Sequence, residues 1–410
     1  DALTKEDAAL LLIGDFDPNA KGFASMIGTA GHHVCGAAGE SCDKISGFPF
    51  LIMADGPAGL RLAKEYYEDD KGKHAVGSTA MPASLQEMLS GPMKLVMSLM
   101  GGSSKPKPGC EIKTQYCTAI PIGTALAQSF DLTFVEQCGD IVGEEMERFG
   151  VHLWLAPALN IHRSIRCGRN FEYYSEDPLI SGKMAAAMTR GVQAHKGCGT
   201  TIKHYAANNK EYNRYRNNSI VSERAMREIY LKGFQYAVEE GGANAAMTSF
   251  NRIGTRWAGA HSGLCNEVLR KEWGFVGVTL TDAVMANRNW MDVSIGLEAG
   301  NDTWLSSGDW LVSKIEGWAA EDGKLLNNLR TSAKNFLYAY ANSAAMNGMN
   351  ETSHVVHTTS WVETDMLIAR IVLIVLTALF GLAMLVSYFM DVKKKAAPAD
   401  RKTVSIVAAV

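Results

Sequence analysis

"GVTLTDAVM", residues 277–285, is a run of strand-forming residues that stops on a carboxylate, Asp282. Asp is a common helix N-cap, so a strand-to-helix step accounts for it in one way. In a parallel α/β barrel, the ends of the strands are also where reactive side chains collect. The remainder of the chain has to decide between these readings. From residue 45 to residue 305 one pattern recurs: a short apolar run, a polar residue, then a helical stretch. The runs are "FPFLIMAD", "CTAIPIG", "VHLWLAPALN", "GTTIKHY", "ANAAMTSFN", "VGVTLTD" and "IGLEAGNDTWL". Between them, "FVEQCGDIVGEEMERFG", "SGKMAAAMTRGVQAH" and "SERAMREIYLKGFQYAVEEG" have helical spacing, the last with Ser222 as N-cap and Gly241 near its end.

Strands alternating with helices imply a parallel sheet. Seven or eight such units over about 260 residues match the size of a TIM-like (β/α)8 barrel. A doubly wound open sheet is the alternative, and there only the strand ends near the switch point face a ligand. Here nearly every run ends on a polar residue: Asp55, Asn160, Lys203 with His204, Asn251, Asp282, Asn301 and Asp302. Convergence of all these ends on one cleft favours the barrel.

Composition narrows the function. The apolar share of 47% is ample for a large core, and a net charge of -3 gives no reason to expect a nucleic-acid partner. The eight Cys are scattered without CxxC pairs, which argues against zinc ribbons and redox motifs. Most read as small core residues, with a Cys110–Cys117 loop disulfide open as a further reading. "IVLIVLTALFGLAMLVSYFM", Ile371 to Met390, holds no charge and has no polar face. As a helix it spans roughly 30 Å, the thickness of a bilayer core. "DVKKK" follows directly and Arg401-Lys402 come soon after, so the positive-inside rule places the tail in the cytoplasm and the preceding region outside the cell membrane. The expected organisation is a lead-in over 1–44, a barrel over 45–345 with an insertion at about 85–117, a linker over 346–366, a single-pass transmembrane helix over 367–391 and a basic tail over 392–410. The insertion carries a Met-rich apolar helix and a Gly/Ser/Lys/Pro loop.

Three further segments carry chemistry. "HRSIRCGRNFEYYSEDP" (162–178) gathers three Arg, three carboxylates and two Tyr. That mixture suits a polyol, with charges for hydroxyls and aromatic faces for the C–H side of a sugar ring, and it equally suits a structural salt-bridge cluster. "TIKHYAANNKEYNRYR" (201–216) puts Lys203 and His204 at a strand end, followed by Asn208, Asn209 and Glu211. "ADGPAGLR" (54–61) sets Asp55 before a Gly-Pro turn, which by itself is an ordinary turn.

The order "ADGPAGLR", "APALNIHRSIRCGRNFEYYSEDP", "KHYAANNKE…SERAMREIYLKGF", "MTSFNR" and "LRKEWGFVGVTLTD" resembles the barrel domain of glycoside hydrolase family 3, the β-glucosidase family, over roughly residues 20 to 345. The resemblance implies a retaining exo-acting β-glycosidase, most commonly a β-glucosidase, acting on terminal β-D-glucosyl residues with no metal or cofactor. It makes Asp282, in the step Thr281-Asp282, the nucleophile. Asp55, Arg169, Lys203 and His204 would grip the hydroxyls of the non-reducing sugar, Met247 would line the pocket, and Arg61 would orient Asp55. Fixing the ring over the nucleophile can supply up to ~7–11 kcal/mol of a rate enhancement. Two positions depart from the pattern. Phe250 stands where many members have Tyr beside the nucleophile, and Ala283 where many have Trp in the leaving-group site, for which Trp290 and Trp304 are candidate substitutes.

A retaining glycosidase also needs a second carboxyl about 5–5.5 Å from the first. In the family this acid/base is usually a Glu from an α/β sandwich domain. Here a tether and an apolar helix follow the barrel instead. A member with the reversed order, sandwich ahead of barrel, fits this arrangement, and the acid/base is then expected from outside this chain. Glu172 and Glu176 are in-chain candidates by composition alone. The alternative function is a membrane-anchored sugar-binding or sensor module without turnover. The branch acting on N-acetylglucosamine has a Gly-His-Gly turn after its "KH", whereas "KHYAANNKE" stands here.

Overall fold

The computed structural model describes residues 3–14, 33–42, 45, 48–69, 72–76, 109–284, 291–305, 309–347 and 361–396. The chain divides into two compact units, Asp1–Ser353 and His354–Val410.

The first unit is a TIM-barrel-like α/β fold. After helix α1 (Lys5–Leu11) come β1 (Ile13–Gly14), β2 (Gly39–Ser41) and β3 (Leu51–Ala54). β4 (Glu65–Asp69), β5 (Gly72–Ala75) and β6 (Ile112–Thr114) form a separate antiparallel sheet; β6 falls within the expected insertion at about 85–117, and residues 77–108 lie outside the described residues. Then follow α2 (Gly123–Gln128), α3 (Leu132–Phe149), β7 (Leu153–Trp154), α4 (Pro178–Gln193), β8 (Gly199–Tyr205) and β9 (Asn218–Ser219). The chain continues with α5 (Lys232–Glu239), β10 (Ala245–Thr248), β11 (Arg252–Ile253), β12 (Arg256–Trp257), β13 (Val278–Thr281), α6 (Val293–Ala299), β14 (Trp304–Leu305), α7 (Asp309–Glu321) and α8 (Gly323–Ala341).

One curled sheet of six strands, in the order β13-β10-β8-β7-β3-β2, carries the site. β1 pairs with β14 in parallel. A Leu280–Thr303 bridge ties this pair to one edge of the sheet, and Ser41 Oγ of β2 donates to the Ile13 carbonyl of β1 (3.0 Å) at the other. The lead-in thus supplies two strands that pair with those of the barrel. Strand β2 runs antiparallel to β3. The nine residues between them leave no room for the crossover helix that a parallel pair needs, so the array departs from eight parallel βα units. "CTAIPIG" forms no strand, since Pro121 removes a ladder donor, and the stretch runs directly into α2. "IGLEAGNDTWL" begins as the end of α6, with only its last two residues in β14.

Successive strand residues face opposite ways and divide the core. Ile52 and Ala54 pack into a cluster with Val135, Val142 and Met146 of α3, while Leu51 and Met53 join a second cluster with Leu11, Leu280 and Trp304. Helix α3 starts at Asp131, whose side chain accepts from Phe134 N, and stops at Gly150, which takes φ +71°. Asp177 accepts from Leu179 N and Ile180 N, with Pro178 at the first helical position of α4. The segment 222–241 is less regular than its spacing predicts: Met226–Tyr230 is a π-helical turn between Glu223–Ala225 and α5.

Cys110 and Cys117 are free thiols; the extended β6 lies between them and carries the two positions apart. In the second unit, helix α9 (Trp361–Ala396) contains an 18-residue stretch, Arg370–Ser387, of mean hydropathy 2.4, long and apolar enough to cross a membrane. Its Leu373, Phe380 and Met384 are exposed. Most of the expected linker, 348–360, and the tail beyond 396 lie outside the described residues.

Candidate active site

Four strand ends deliver the site. Asp55 follows β3, Lys203 and His204 end β8, Met247 lies on β10, and Asp282 follows β13. All five, with Arg169 from the loop after β7, line one cavity of about 300 Å³. That volume sits at the small end of ligand pockets. The sequence-predicted set is therefore brought together in full.

At one end, Lys203 Nζ donates to Asp55 Oδ1 (2.5 Å) and Arg61 Nη2 to Asp55 Oδ2 (2.6 Å). Lys203 is nearly inaccessible, and Asp55 is the carboxylate that pairs with it. Burial alone would raise the Asp55 carboxyl. Lys203 and Arg61 outweigh it and hold Asp55 well below the usual carboxylate range. Arg61 orients Asp55, as expected, and also lines the cavity.

Arg169 donates to Glu172 through Nε (2.6 Å) and also through Nη2. Burial works against its charge, but Tyr173, Glu172, Glu211 and Asp282 around it make the guanidinium harder still to deprotonate. His204 is held by its main chain: its N–H donates to Asn160 Oδ1 and its carbonyl accepts from Asn160 Nδ2, both at 2.9 Å. The His204–Asp282 separation, 3.8 Å from Nε2 to Oδ2, is too long for a hydrogen bond. Burial, then the nearby Arg169, Lys203 and Arg214, push the imidazole well below its ordinary value, so it is neutral at pH 7. Asp282 Oδ1 accepts from Ala283 N (2.8 Å), and its side chain remains 18% exposed to the cavity.

The polar strand ends do not all converge. Asn251 donates to the Ala206 carbonyl (3.2 Å) and Asn301 to Thr248 Oγ1 (3.2 Å). Asp302, fully buried, receives Arg270 (2.5 Å), Thr279 N (2.9 Å) and Asn335 (3.0 Å). With Asn160 on His204, these residues support the strand ends instead of lining the cavity. The tyrosines of the 162–178 loop are also interior: Tyr173 and Tyr174 are buried, and the aromatic ring on the cavity is Phe171, half exposed. Trp304 is buried against Trp257 (6.0 Å) and is no leaving-group platform; Trp290 lies outside the described residues. Of the in-chain acid candidates, Glu172 reaches the cavity bound to Arg169, whereas Glu176 lines a separate depression with His162 and Asn170.

Arg214 was missed by sequence reasoning. It lines the cavity, donates to Glu211 Oε2 (2.8 Å) and Tyr215 Oη (3.3 Å), and responds to Asp282 as the leading charge acting on it after burial. The doubled cation of "NRYR", so close after "KHY", was the available signal. A chain of contacts runs from it into the site: Glu211 accepts from Asn208 (2.9 Å), Asn208 donates to Tyr173 Oη (3.1 Å), and Tyr173 Oη lies 3.4 Å from His204 Nδ1.

Residues 87–328, more than half of the chain, match the model of the glycosyl hydrolase family 3 N-terminal domain. The chain is 43% identical over 191 residues to beta-glucosidase A of Butyrivibrio fibrisolvens, covering 47% of this chain and 22% of that protein. It is 32% identical over 287 residues to thermostable beta-glucosidase B of Acetivibrio thermocellus, covering 70% of this chain and 32% of that one. The structure of beta-glucosidase 3B from Thermotoga neapolitana in complex with glucose superposes with a TM-score of 0.65 at 33% identity, covering 83% of this chain and 41% of that one. The chain thus spans between a fifth and a third of the length of these curated relatives. Its barrel and its matched residues place the chain in glycosyl hydrolase family 3, through the family's N-terminal domain.

Proposed function

We propose that this chain holds the sugar pocket and nucleophile of a retaining, exo-acting β-glucosidase. The observation that carries the reading is one small cavity shared by Asp282, Asp55, Arg169, Lys203, His204 and Met247. In this reading a terminal β-D-glucosyl ring lies with its far hydroxyls on Asp55 and Lys203, and with Arg169 and neutral His204 on the remaining ones. Asp282 attacks the anomeric carbon, the bond from that carbon to the leaving oxygen breaks, and the leaving oxygen takes a proton from an acid outside this chain. Water then cleaves the glycosyl ester and returns a proton to that group. Glu172 is occupied by Arg169 in a charge-assisted hydrogen bond, which leaves the acid role to a group outside this chain.

The test is labelling by a dinitrophenyl 2-deoxy-2-fluoro-β-glucoside, whose leaving group needs little protonation. Label on Asp282 in the wild type and none in Asp282→Asn is the expected result; label on another residue overturns the assignment. A second reading, a sugar-binding module without turnover, draws support from Phe250, which brings no hydroxyl, and from Ala283 in place of a larger platform. Glucose binding by calorimetry with no label at all would favour it.

The reading extends to the whole protein. The acid/base domain lies upstream in a reversed order, supported by the apolar helix that follows the barrel, and the encoded residues ahead of Asp1 test this. Helix α9 spans the cell membrane with the barrel outside and the Lys-rich tail in the cytoplasm, supported by the "DVKKK" flank. Protease digestion of intact cells should remove the barrel and spare the tail.

A further inference from the structure

Phe250 leaves β10 two residues after Thr248 and is buried, yet it is more than filler. The Arg214 guanidinium stands over its ring at 4.6 Å from the centroid and over the Tyr215 ring at 5.2 Å. The two rings meet edge to face at 5.0 Å. One cation is therefore held at a corner made by two aromatic faces, with Glu211 and Tyr215 Oη taking donors from its edge. We propose that Phe250 is a positioning residue: its ring fixes the Arg214 guanidinium in the cavity wall so that the cation faces Asp282 and the bound sugar. The proposal rests on the β-glucosidase reading of the cavity.

The physics favours an aromatic ring at position 250 over an aliphatic one of similar size. Arg carries much rotamer freedom, and an ion pair with one partly exposed carboxylate at 2.8 Å fixes only one edge of the guanidinium. The faces of a π system attract the cation from the side that Glu211 leaves open, and the attraction grows where water is excluded, as at this buried ring. A leucine at 250 would fill most of the volume and supply none of that attraction.

The experiment compares the full chain with Phe250→Leu, Phe250→Tyr, Arg214→Ala and the Phe250→Leu/Arg214→Ala double variant. Labelling by the fluoroglucoside is resolved into its saturation constant and its maximal rate, with glucose affinity measured by calorimetry. Phe250→Leu should weaken glucose binding and raise the saturation constant about 10-fold. Phe250→Tyr, which keeps the ring, should remain within about 2-fold of wild type. The double variant should fall no further than Arg214→Ala alone, the mark of one residue acting through the other. Additive losses, or a Phe250→Leu protein that binds like wild type, overturn the proposal. The Arg214 Nε–H resonance in NMR reads the stacking independently of any reaction: a ring-current shift lost in Phe250→Leu and kept in Phe250→Tyr is expected. Its absence in the wild type sinks the proposal even if Asp282 labels normally, whereas its presence without labelling or glucose binding rejects the β-glucosidase reading instead.

Discussion

Two aspartates near neighbouring strand ends, one on the cavity and one buried, show how neighbours separate roles. Asp282 keeps part of its carboxylate open to the cavity and takes one backbone donor, whereas Asp302 is enclosed and receives three partners. Arg270→Met would leave Asp302 charged or protonated in the interior without its cation, at a cost of about 3–5 kcal/mol in urea unfolding, while glucose affinity per folded molecule should hold. Asp55→Asn is expected to do both kinds of damage. It strands Lys203, nearly inaccessible, without an anion, and it replaces one of the carboxylate oxygens proposed to accept from the sugar hydroxyls with a donor NH2. A fall of stability of similar size, together with loss of calorimetrically detectable glucose binding, is the expected outcome. Glucose binding unchanged in that variant would remove Asp55 from the sugar site.

Among the elements, the helices were more legible than the strands. The 3.6-residue spacing of α3 and α4 is long enough to read, and Asp131, Asp177 and Gly150 mark their ends in the sequence. Strands of two residues, as in β1, β7 and β14, carry too few positions to show a period. Where α3 and α4 meet, backbones approach closely at glycine. A Cβ at Gly191 would lie 2.0 Å from the Glu136 carbonyl oxygen, and one at Gly139 2.5 Å from that of Met188. Both neighbours are helix backbone and cannot step aside alone. Gly191→Ala should therefore destabilise by about 1–3 kcal/mol in spite of alanine's better helix propensity, measured by the urea midpoint. An unchanged or raised midpoint would mean that the helices can part without cost.

The whole molecule should weaken in mild acid, for a reason set by its interior. His152 accepts from Ile52 N through Nδ1 (2.9 Å), and burial lowers it to about 4; His204 is also held well below its ordinary value, by burial and three cations. Both are neutral in the fold, while the unfolded chain protonates them near pH 6.5. Their contribution is thus fully present above about pH 6.5 and is lost as pH falls, for His152 down to about 4. Between pH 7.5 and 5, His152 alone should cost about 2 kcal/mol, and His152→Asn should flatten the urea-midpoint profile by roughly that amount. Asp55, held low, adds its loss only below about pH 4. At the same scale, the helix Trp361–Ala396 should carry the full chain into a detergent phase, whereas a chain ending at residue 353 should stay in the aqueous phase.

The sequence by itself determined the class of fold, the nucleophile candidate and its four polar partners, and the apolar helix. The strand that stops on Asp282, the Lys-His pair ending β8 and the uncharged run of membrane length are written in local order, whereas the roles of Asp282, Asp55 and Arg169 followed from the order of motifs shared with a known family. Tertiary structure decided the rest, because it depends on residues far apart in the chain. It paired residues 13–14 with 304–305, turned β2 antiparallel, sorted Asp55 and Asp282 to the cavity and Asn251, Asn301 and Asp302 to the interior, and set Arg214 between two rings beside Asp282. Which face of a strand end meets solvent is fixed by what packs behind it, and a linear chain does not carry that information at any single position.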